Sequence, residues 1–193
     1  MKEHRGMLIG FGLLLVALGM IYYLYSLERR HQLEVREADR SDLDVESSVL
    51  EERSTGDVKV KLYFYRPGAI AVSSGLLLAE ERSIFETGDV ILNARQIVNE
   101  IIKGPRDKST QVLSAQARLR QIYLLNDGTA VVDLSKESSD QLPGGMTSEL
   151  AVLYSITRSL IENITDIKRV KFLVEGQDQP TFSGHVSIRE PFM

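Results

Sequence analysis

The stretch that decides the fold is Leu124–Ser135, which reads LLNDGTAVVDLS. Two apolar runs flank the triplet Asn126-Asp127-Gly128. Asn-Gly and Asp-Gly pairs readily take the positive φ angles that a tight hairpin turn requires. The stretch therefore predicts two antiparallel strands joined by this turn, with Asp127 as a turn-forming residue.

The second strand of this hairpin carries Asp133, whose role depends on the phase of the strand. Successive side chains of a strand alternate between its two faces. Ala130, Val132 and Leu134 share the face that is expected to lie on the core. We therefore expect Asp133 on the opposite face, as a solvated carboxylate near the strand end rather than a catalytic acid.

Apolar periodicity on both sides of the hairpin predicts the other elements of the domain. The order is strand, strand, helix, strand, strand, helix, strand. The segments are VKVKLYFY, GLLLAEERSIF, TGDVILNARQIVNEIIKGP, RLRQIYLL, TAVVDLS, MTSELAVLYSITRSLIEN and RVKFLVEG. Both helices are amphipathic, so this order predicts an α+β domain: one mixed or antiparallel sheet with two helices packed on one face.

The N-terminal part of the chain has a different character. Met7–Leu27 carries no charge and is long enough to span a bilayer as a helix. Bulky residues end this run, whereas a cleaved signal peptide would end in small ones. We expect a short N-terminus at residues 1–6, an uncleaved transmembrane anchor at 7–27, a charged stalk at 28–57 and a folded domain at 58–193.

Composition excludes several classes of site. The sequence has no cysteine, which rules out disulfides and thiolate metal sites, and its 3 histidines are too few for a zinc site built from several of them. The net charge of -4 comes from the N-terminal part, because Val58–Met193 has equal numbers of basic and acidic residues. Nucleic-acid binding usually requires a basic excess, so no nucleic-acid partner is expected.

The titratable residues of the domain do not predict a catalytic centre. Glu149 begins the second helix, where its charge would interact with the helix dipole. A Ser-His-acid triad would need His185, but Ser183 is too close to it in sequence, and the chain has no nucleophile-elbow motif. No glycine-rich phosphate loop with its lysine follows a strand. We therefore assign no catalytic, cofactor-binding or metal-binding residue and expect no cofactor.

One face of the predicted sheet is a candidate contact surface. The two strand patterns VKVKLYFY and RVKFLV both alternate buried apolar residues with residues that point outward. If these strands are neighbours, their outward residues form one basic and aromatic face. The candidate interaction face comprises Lys59, Lys61, Tyr63, Tyr65, Arg169 and Lys171.

Two interpretations of this face remain open. It could be ordinary solvated surface, or it could contact a second copy or an acidic envelope partner. Glu80, Glu81 and Glu86 would then supply compensating acid elsewhere on the domain. Head-to-tail pairing of a basic and an acidic surface can build a ring when the rotation closes.

The ordered set of segments resembles a GerMN domain, the domain of GerM-type sporulation and spore-germination proteins. The resemblance covers nearly all of Val58–Met193 and rests on VKLYFY, IVNEIIKGP, IYLLNDGTAVVDLS, SELAVLYSITRSLIEN, VKFLVEG and GHVSIREPF. It implies a non-enzymatic domain outside the cytoplasmic membrane, and therefore residues 1–6 in the cytoplasm. Family members are often lipoproteins, whereas here a transmembrane anchor would replace the lipidated cysteine. The similarity of this fold to ring-building motifs implies oligomerisation by analogy.

We therefore expect a single-pass membrane protein whose extracytoplasmic domain is an interaction or assembly module of the bacterial envelope. Its expected partners are the membrane, through the N-terminal helix, and envelope proteins or further copies of the chain. A ligand-binding sensor is the first alternative, and an apolar pocket with a few polar groups would favour it. A cell-wall-acting enzyme is the second, and it would need titratable residues that converge on one site.

Overall fold

The computed structural model describes residue 20 and residues 54–65, 77–106, 111–140, 142–143 and 145–193. The chain divides into two units, Met1–Val49 and Leu50–Met193, and all the elements given below belong to the second. The predicted anchor and stalk lie outside the described residues, apart from residues 20 and 54–57. Within those described ranges, no helix is both long enough and apolar enough to cross a bilayer.

The domain contains five strands and three helices in its described part, and the predicted α+β class is confirmed. In chain order they are β1 Ser54–Tyr65, β2 Leu77–Thr87, α1 Val90–Lys103, β3 Leu119–Leu124, β4 Thr129–Leu134, α2 Glu137–Asp140, α3 Met146–Asn163 and β5 Arg169–Val174. The four-residue helix α2 was not predicted. Strand β1 begins four residues before the predicted domain boundary, because Ser54 already pairs with Thr87 of β2.

The strands form two sheets, so the prediction of a single sheet is wrong. Strands β1 and β2 form an antiparallel two-stranded sheet. The other sheet has the order β3-β4-β5, with β3 and β4 antiparallel and β4 and β5 parallel. The physical reason for the separation is that helix side chains, rather than further strands, occupy the edges of the β1–β2 sheet.

The outer edge of β1 is bonded to helix α3. The N–H of Lys61 donates to Asn163 Oδ1 at 2.9 Å, and Asn163 Nδ2 donates to the Lys61 carbonyl at 2.8 Å. The N–H of Tyr63 donates to Ser159 Oγ at 2.9 Å. The Asn163 side chain thus makes the pair of hydrogen bonds that a neighbouring strand would make.

The outer edge of β2 is bonded to helix α1 in the same way. The amide of Gln96 accepts from the Phe85 N–H at 2.9 Å and donates to the Phe85 carbonyl at 2.7 Å. Asn93 makes the equivalent pair with Thr87, at 3.0 and 2.9 Å. Covering an edge strand in this way protects it from pairing with another chain.

A single apolar core joins the two sheets and the helices. Helix α1 contacts β2 and β3, and α3 contacts β1 and α1. The even-numbered residues of β4 and β5 face this core, as the strand phase predicted. The largest fully buried apolar side chains are Phe172, Leu62, Ile97, Leu134, Leu153, Ile156, Leu160 and Ile188.

The hairpin that joins β3 to β4 has the predicted turn. Gly128 has a φ of 81°, and its N–H donates to the Leu125 carbonyl at 3.0 Å. Asp127 Oδ1 accepts from the Thr129 N–H at 2.9 Å, which confirms Asp127 as a turn former. Hydrogen bonds from Thr129 and from Arg169 lower the pKa of Asp127 below its ordinary value.

The C-terminal tail, residues 175–193, is fixed to the domain by two charged side chains of opposite sign. The fully buried carboxylate of Glu149 accepts the N–H groups of Ser183, His185 and Val186 at 3.0, 3.1 and 2.8 Å. The ammonium group of Lys171 has three acceptors within 2.7 Å: Asp178 Oδ1 and the carbonyls of Ile188 and Arg189. These contacts hold together parts of the chain that are far apart in sequence.

Substituting Gly128 with valine should lower the free energy of unfolding by about 2 kcal/mol, because a β-branched residue is strained at positive φ. A Cβ atom at this position would also lie 3.0 Å from the Asp166 carbonyl oxygen. Gly88→Val is the control, since a Cβ atom there meets nothing within 4 Å. Thermal unfolding of both purified variants measures the difference, and equal stability of the two would contradict the turn assignment.

Substituting Glu149 with glutamine should lower the free energy of unfolding by about 2 kcal/mol. One carboxylate oxygen is replaced by an NH2 group, which cannot accept hydrogen bonds from the buried N–H groups. Hydrogen exchange should accelerate at the amides of Ser183, His185 and Val186. The control is Glu162→Gln, because Glu162 is exposed and forms an ion pair with Lys61. Its free energy of unfolding should stay within about 0.5 kcal/mol of the parent's.

The Glu149 carboxylate should make the stability of the domain depend on pH in the acid range. Burial by itself raises the pKa of Glu149, but hydrogen bonds from Val186, His185 and Ser183 outweigh this effect and lower the pKa below its ordinary value. A lowered folded-state pKa stabilises the fold above the unfolded value, and this stability is lost as pH falls through the folded pKa. The Glu149→Gln variant should lack this part of the acid dependence, and an unchanged acid transition would exclude the assignment.

Candidate functional site

The predicted interaction face is divided between the two sheets. Lys59, Lys61, Tyr63 and Tyr65 lie on β1, whereas Arg169 and Lys171 lie on β5. Strand β1 pairs with β2 and strand β5 pairs with β4, so the structure does not place β1 and β5 side by side. The six residues therefore do not form one continuous sheet face.

The β1 residues differ in how far they are exposed. The side chain of Lys59 is 78% exposed and lies 3.8 Å from Glu81 Oε2. Lys61 is half-exposed and lies 3.6 Å from Glu162 Oε1. Tyr63, by contrast, is buried, and the guanidinium of Arg158 lies 4.6 Å from the centre of its ring. The accessible basic groups on this strand are the two lysines.

The acidic residues expected elsewhere lie on the strand next to these lysines. Glu81 of β2 is the direct partner of Lys61 in the antiparallel register, and it also pairs with Lys59. Glu80 is turned toward Arg82, with a nitrogen–oxygen distance of 3.2 Å. Basic and acidic groups are thus interleaved on one sheet rather than separated onto two surfaces.

The β5 residues of the predicted face are engaged within the domain. Arg169 donates to Thr129 Oγ1 at 2.8 Å and to Asp127 Oδ2 at 2.7 Å, which fixes β5 to the β3–β4 turn. Lys171 is largely buried, because its ammonium group holds the C-terminal tail. Lys171 thus has an internal role that alternation alone did not reveal.

Asp133 is buried, so the prediction that it is solvated is wrong. It is 6% exposed, and it accepts from Arg120 Nε at 3.1 Å and from the Gly176 N–H at 2.8 Å. The strand phase was right, since Asp133 does lie on the face opposite to the core. The turn after β5 covers it there, and Glu175 of that turn also accepts from Arg120.

Glu149 and His185 form the closest carboxylate–imidazole pair of the domain's described residues. His185 Nδ1 lies 2.5 Å from Glu149 Oε1. The neighbouring hydroxyl of Ser183 donates its hydrogen bond to the Ser139 carbonyl at 2.5 Å instead of to the imidazole. The geometry brings together an acid and a histidine but not the nucleophile that a triad requires.

The role expected for Glu149, interaction with the dipole of its helix, describes only part of its environment. The sequence does contain a signal for its burial. Glu149 lies four residues before Leu153, seven before Ile156 and eleven before Leu160, which places it on the buried face of α3. An acidic residue on that face needs internal hydrogen-bond donors.

The described residues contain no candidate metal-binding cluster, and one cleft among them is small. No group of three or more His, Cys, Asp or Glu among them could hold a metal ion. A cleft of about 20 Å³ lies between Tyr65, Ile101, Leu113 and Val152, and it has room for about one water molecule. Pockets that bind small molecules are typically about 300–1,000 Å³, so this cleft does not favour a ligand-binding sensor.

Two solved structures from Bacillus subtilis share this fold. The first GerMN domain of the sporulation protein GerM matches with a TM-score of 0.54 and 18% identity, covering 70% of this chain and 96% of that one. The tandem GerMN domains of GerM also match with a TM-score of 0.54 and 18% identity, covering 72% of this chain and 46% of that one. This chain thus spans about half of the tandem structure. At these identities the likeness shows the fold alone.

Comparison at the level of sequence identifies the family. No curated protein matches the sequence significantly. A family profile does match residues 61–180, which is more than half of the chain, and its description is "Germane: Sporulation and spore germination". The match extends from β1 to the tail that follows β5, so it includes both sheets and the helices between them. The chain therefore belongs to the Germane family of sporulation and spore germination.

Proposed function

We propose that this protein is an anchored assembly module of the bacterial envelope: Met7–Leu27 spans the cytoplasmic membrane, and the Germane domain lies outside it and binds other proteins. The uncharged length of Met7–Leu27 supports the anchor. The match to the sporulation and spore-germination family supports an envelope role for the domain.

The observation that carries the non-catalytic part of the proposal is that the buried carboxylates are used by the fold itself. Glu149 holds the tail, and Asp133 joins Arg120 to the turn after β5. Glu100, partly buried, pairs with Arg82 at 3.0 Å, and Lys103 and Arg82 lower its pKa in spite of its burial. A general acid at neutral pH would instead need a raised pKa and an approach for substrate.

The surface that we propose for contact with an acidic envelope partner is centred on Lys59 and Lys61. Both point outward from β1, and their side chains are 78% and 48% exposed. Their ion pairs with Glu81 and Glu162 are long, at 3.8 and 3.6 Å, and therefore weak. A partner carboxylate can compete for such lysines at little cost. Arg169 and Lys171 have internal partners and contribute less to this surface.

The topology is tested by adding protease to intact spheroplasts that contain the full-length chain. The domain should be digested and a small membrane-bound fragment should remain, because the cleavable region lies outside the membrane. A cytoplasmic protein serves as the control for intact membranes. If the domain is protected until the membrane is opened, the proposed topology is wrong.

The contact surface is tested by reversing charge at Lys59 and Lys61 together, in the full-length chain. Lys59→Glu with Lys61→Glu should reduce crosslinking to envelope proteins severalfold, since each position changes from attraction to repulsion of an acidic partner. Lys136→Glu with Lys168→Glu is the control, because both side chains are exposed and neither lies on β1. Equal crosslinking of the two double variants would show that the β1 lysines are only solvated surface.

A further inference from the structure

Arg158, an exposed residue of α3, has an aromatic contact but no polar partner among the residues that the structure describes. Its guanidinium carbon lies 4.6 Å from the centre of the Tyr63 ring, which is the distance of a cation–π contact. No hydrogen bond or ion pair joins this guanidinium to any of the described residues. Its N–H donors are therefore available to a second molecule.

Other arginines of the domain are engaged by carboxylates of the fold. Arg82 pairs with Glu100 at 3.0 Å, and Arg169 pairs with Asp127 at 2.7 Å. Each of these pairs joins two elements, so the arginine has a structural role. The contact of Arg158 with Tyr63 also joins α3 to β1, but it leaves the hydrogen-bonding capacity of the guanidinium unused.

The acid that follows Arg158 along the helix is paired with another base. Glu162 lies four residues after Arg158, the spacing at which a helix commonly forms an ion pair. Its carboxylate lies 3.6 Å from Lys61 of β1 instead. The Tyr63 N–H donates to Ser159, the residue next to Arg158, and this hydrogen bond fixes Arg158 beside the Tyr63 ring.

The charges around Arg158 indicate the class of ligand. Lys59 and Lys61 extend outward from the same strand that Arg158 contacts. With Arg158 they make three bases, and the acids paired with the lysines are Glu81 and Glu162. The basic excess is therefore small, whereas a polyanion requires a large one. A single carboxylate is the anion that this excess suits.

A guanidinium is better suited to this task than an ammonium group. Its N–H donors form a rigid planar fork, which binds a carboxylate through two parallel hydrogen bonds. Contact with the Tyr63 ring orders the Arg158 side chain without using these donors. Ordering before binding reduces the conformational entropy that binding must remove.

We propose that Arg158 binds the carboxylate of an aspartate or glutamate side chain in a protein partner, with Tyr63 as the residue that positions the guanidinium. The proposal deepens the proposed function and rests on it, because it names the group through which an acidic partner is recognised beside Lys59 and Lys61. The lysines attract the partner as point charges, and Arg158 adds directional recognition.

The first test measures binding of a dye-labelled peptide, in which glutamate alternates with glycine, by fluorescence anisotropy. The protein is the full-length chain in micelles of a neutral detergent. Arg158→Lys should weaken binding about fivefold or more, because lysine keeps the charge but loses the paired hydrogen bonds. Arg189→Lys is the control and should bind as the parent does, since Arg189 is exposed on the C-terminal tail. Thermal unfolding checks that both variants are folded.

A second test addresses the positioning role of Tyr63. Tyr63→Leu should weaken binding of the same peptide severalfold in the parent, because the cation–π contact is lost. Combined with Arg158→Lys, it should have little further effect, since the two residues act as one unit. Equal weakening in both backgrounds would show that Tyr63 has only a structural role and would overturn this part of the proposal.

Three results would overturn the carboxylate site itself. They are a parent that does not bind the peptide, an Arg158→Lys variant that binds it as tightly as the parent, and equal binding of a peptide in which glutamine replaces glutamate. Dye-labelled polyphosphate provides a further comparison. Tighter binding of polyphosphate than of the peptide would identify a polyanion as the ligand and would also overturn the proposal.

The outcome can be separated from the failure of the proposed function. Peptide binding in detergent does not depend on which side of the membrane the domain occupies. If Lys59→Glu with Lys61→Glu reduces crosslinking to envelope proteins but Arg158→Lys binds the peptide normally, the contact surface is supported and the carboxylate site is refuted. The opposite pair of results would support the carboxylate site and refute a surface centred on the lysines.

Discussion

The hydrogen bonds between helix side chains and the edges of the β1–β2 sheet are the interactions on which the rest of the structure depends. A two-stranded sheet is marginally stable by itself, because each strand has one unpaired edge. Asn163 and Ser159 of α3 bond the β1 edge, and Gln96 and Asn93 of α1 bond the β2 edge. These bonds fix both helices relative to the hairpin, and the helices in turn pack on the three-stranded sheet. The two sheets are thus joined through helices rather than through strand pairing.

The C-terminal tail depends on a similar use of side chains for backbone groups. Glu149 accepts three N–H groups, and Lys171 donates to two carbonyls and to Asp178. Each charge is therefore compensated within the domain, as burial of a charge requires. Phe192 then pairs with Val170 through two hydrogen bonds of 2.8 Å and extends the β5 edge. The tail is an integral part of the fold, although its described residues contain no long helix or strand.

Local patterns in the sequence were sufficient to predict the elements but not their assembly. The turn at Gly128 and the alternation in β4 and β5 depend on neighbouring residues, so the periodicity and turn chemistry predicted them. Asn163 bonds Lys61, which is 102 positions away, and no local signal indicates that contact. The single sheet was expected because paired strands between helices commonly form one layer. An amide side chain in place of a strand partner is invisible to that reasoning.

The candidate site was harder to predict for a related reason. Alternation correctly places Lys59 and Lys171 on outward faces, yet the first is solvent-exposed and the second holds the tail, because a distant segment folds over only one of the two strands.

The direction of β1 has a mechanical consequence. The strand is twelve residues long, it is the first element of the domain, and the chain from the N-terminal segment enters it at Ser54. A pull applied at Ser54 along the axis of β1 would act perpendicular to the hydrogen bonds of this strand. The hydrogen bonds to β2 on one edge, and to Asn163 and Ser159 on the other, would then be loaded together in shear. They would not break one after another. The hydrogen bonding of β1 along both of its edges is thereby suited to resist a pull applied at Ser54 without loss of the fold.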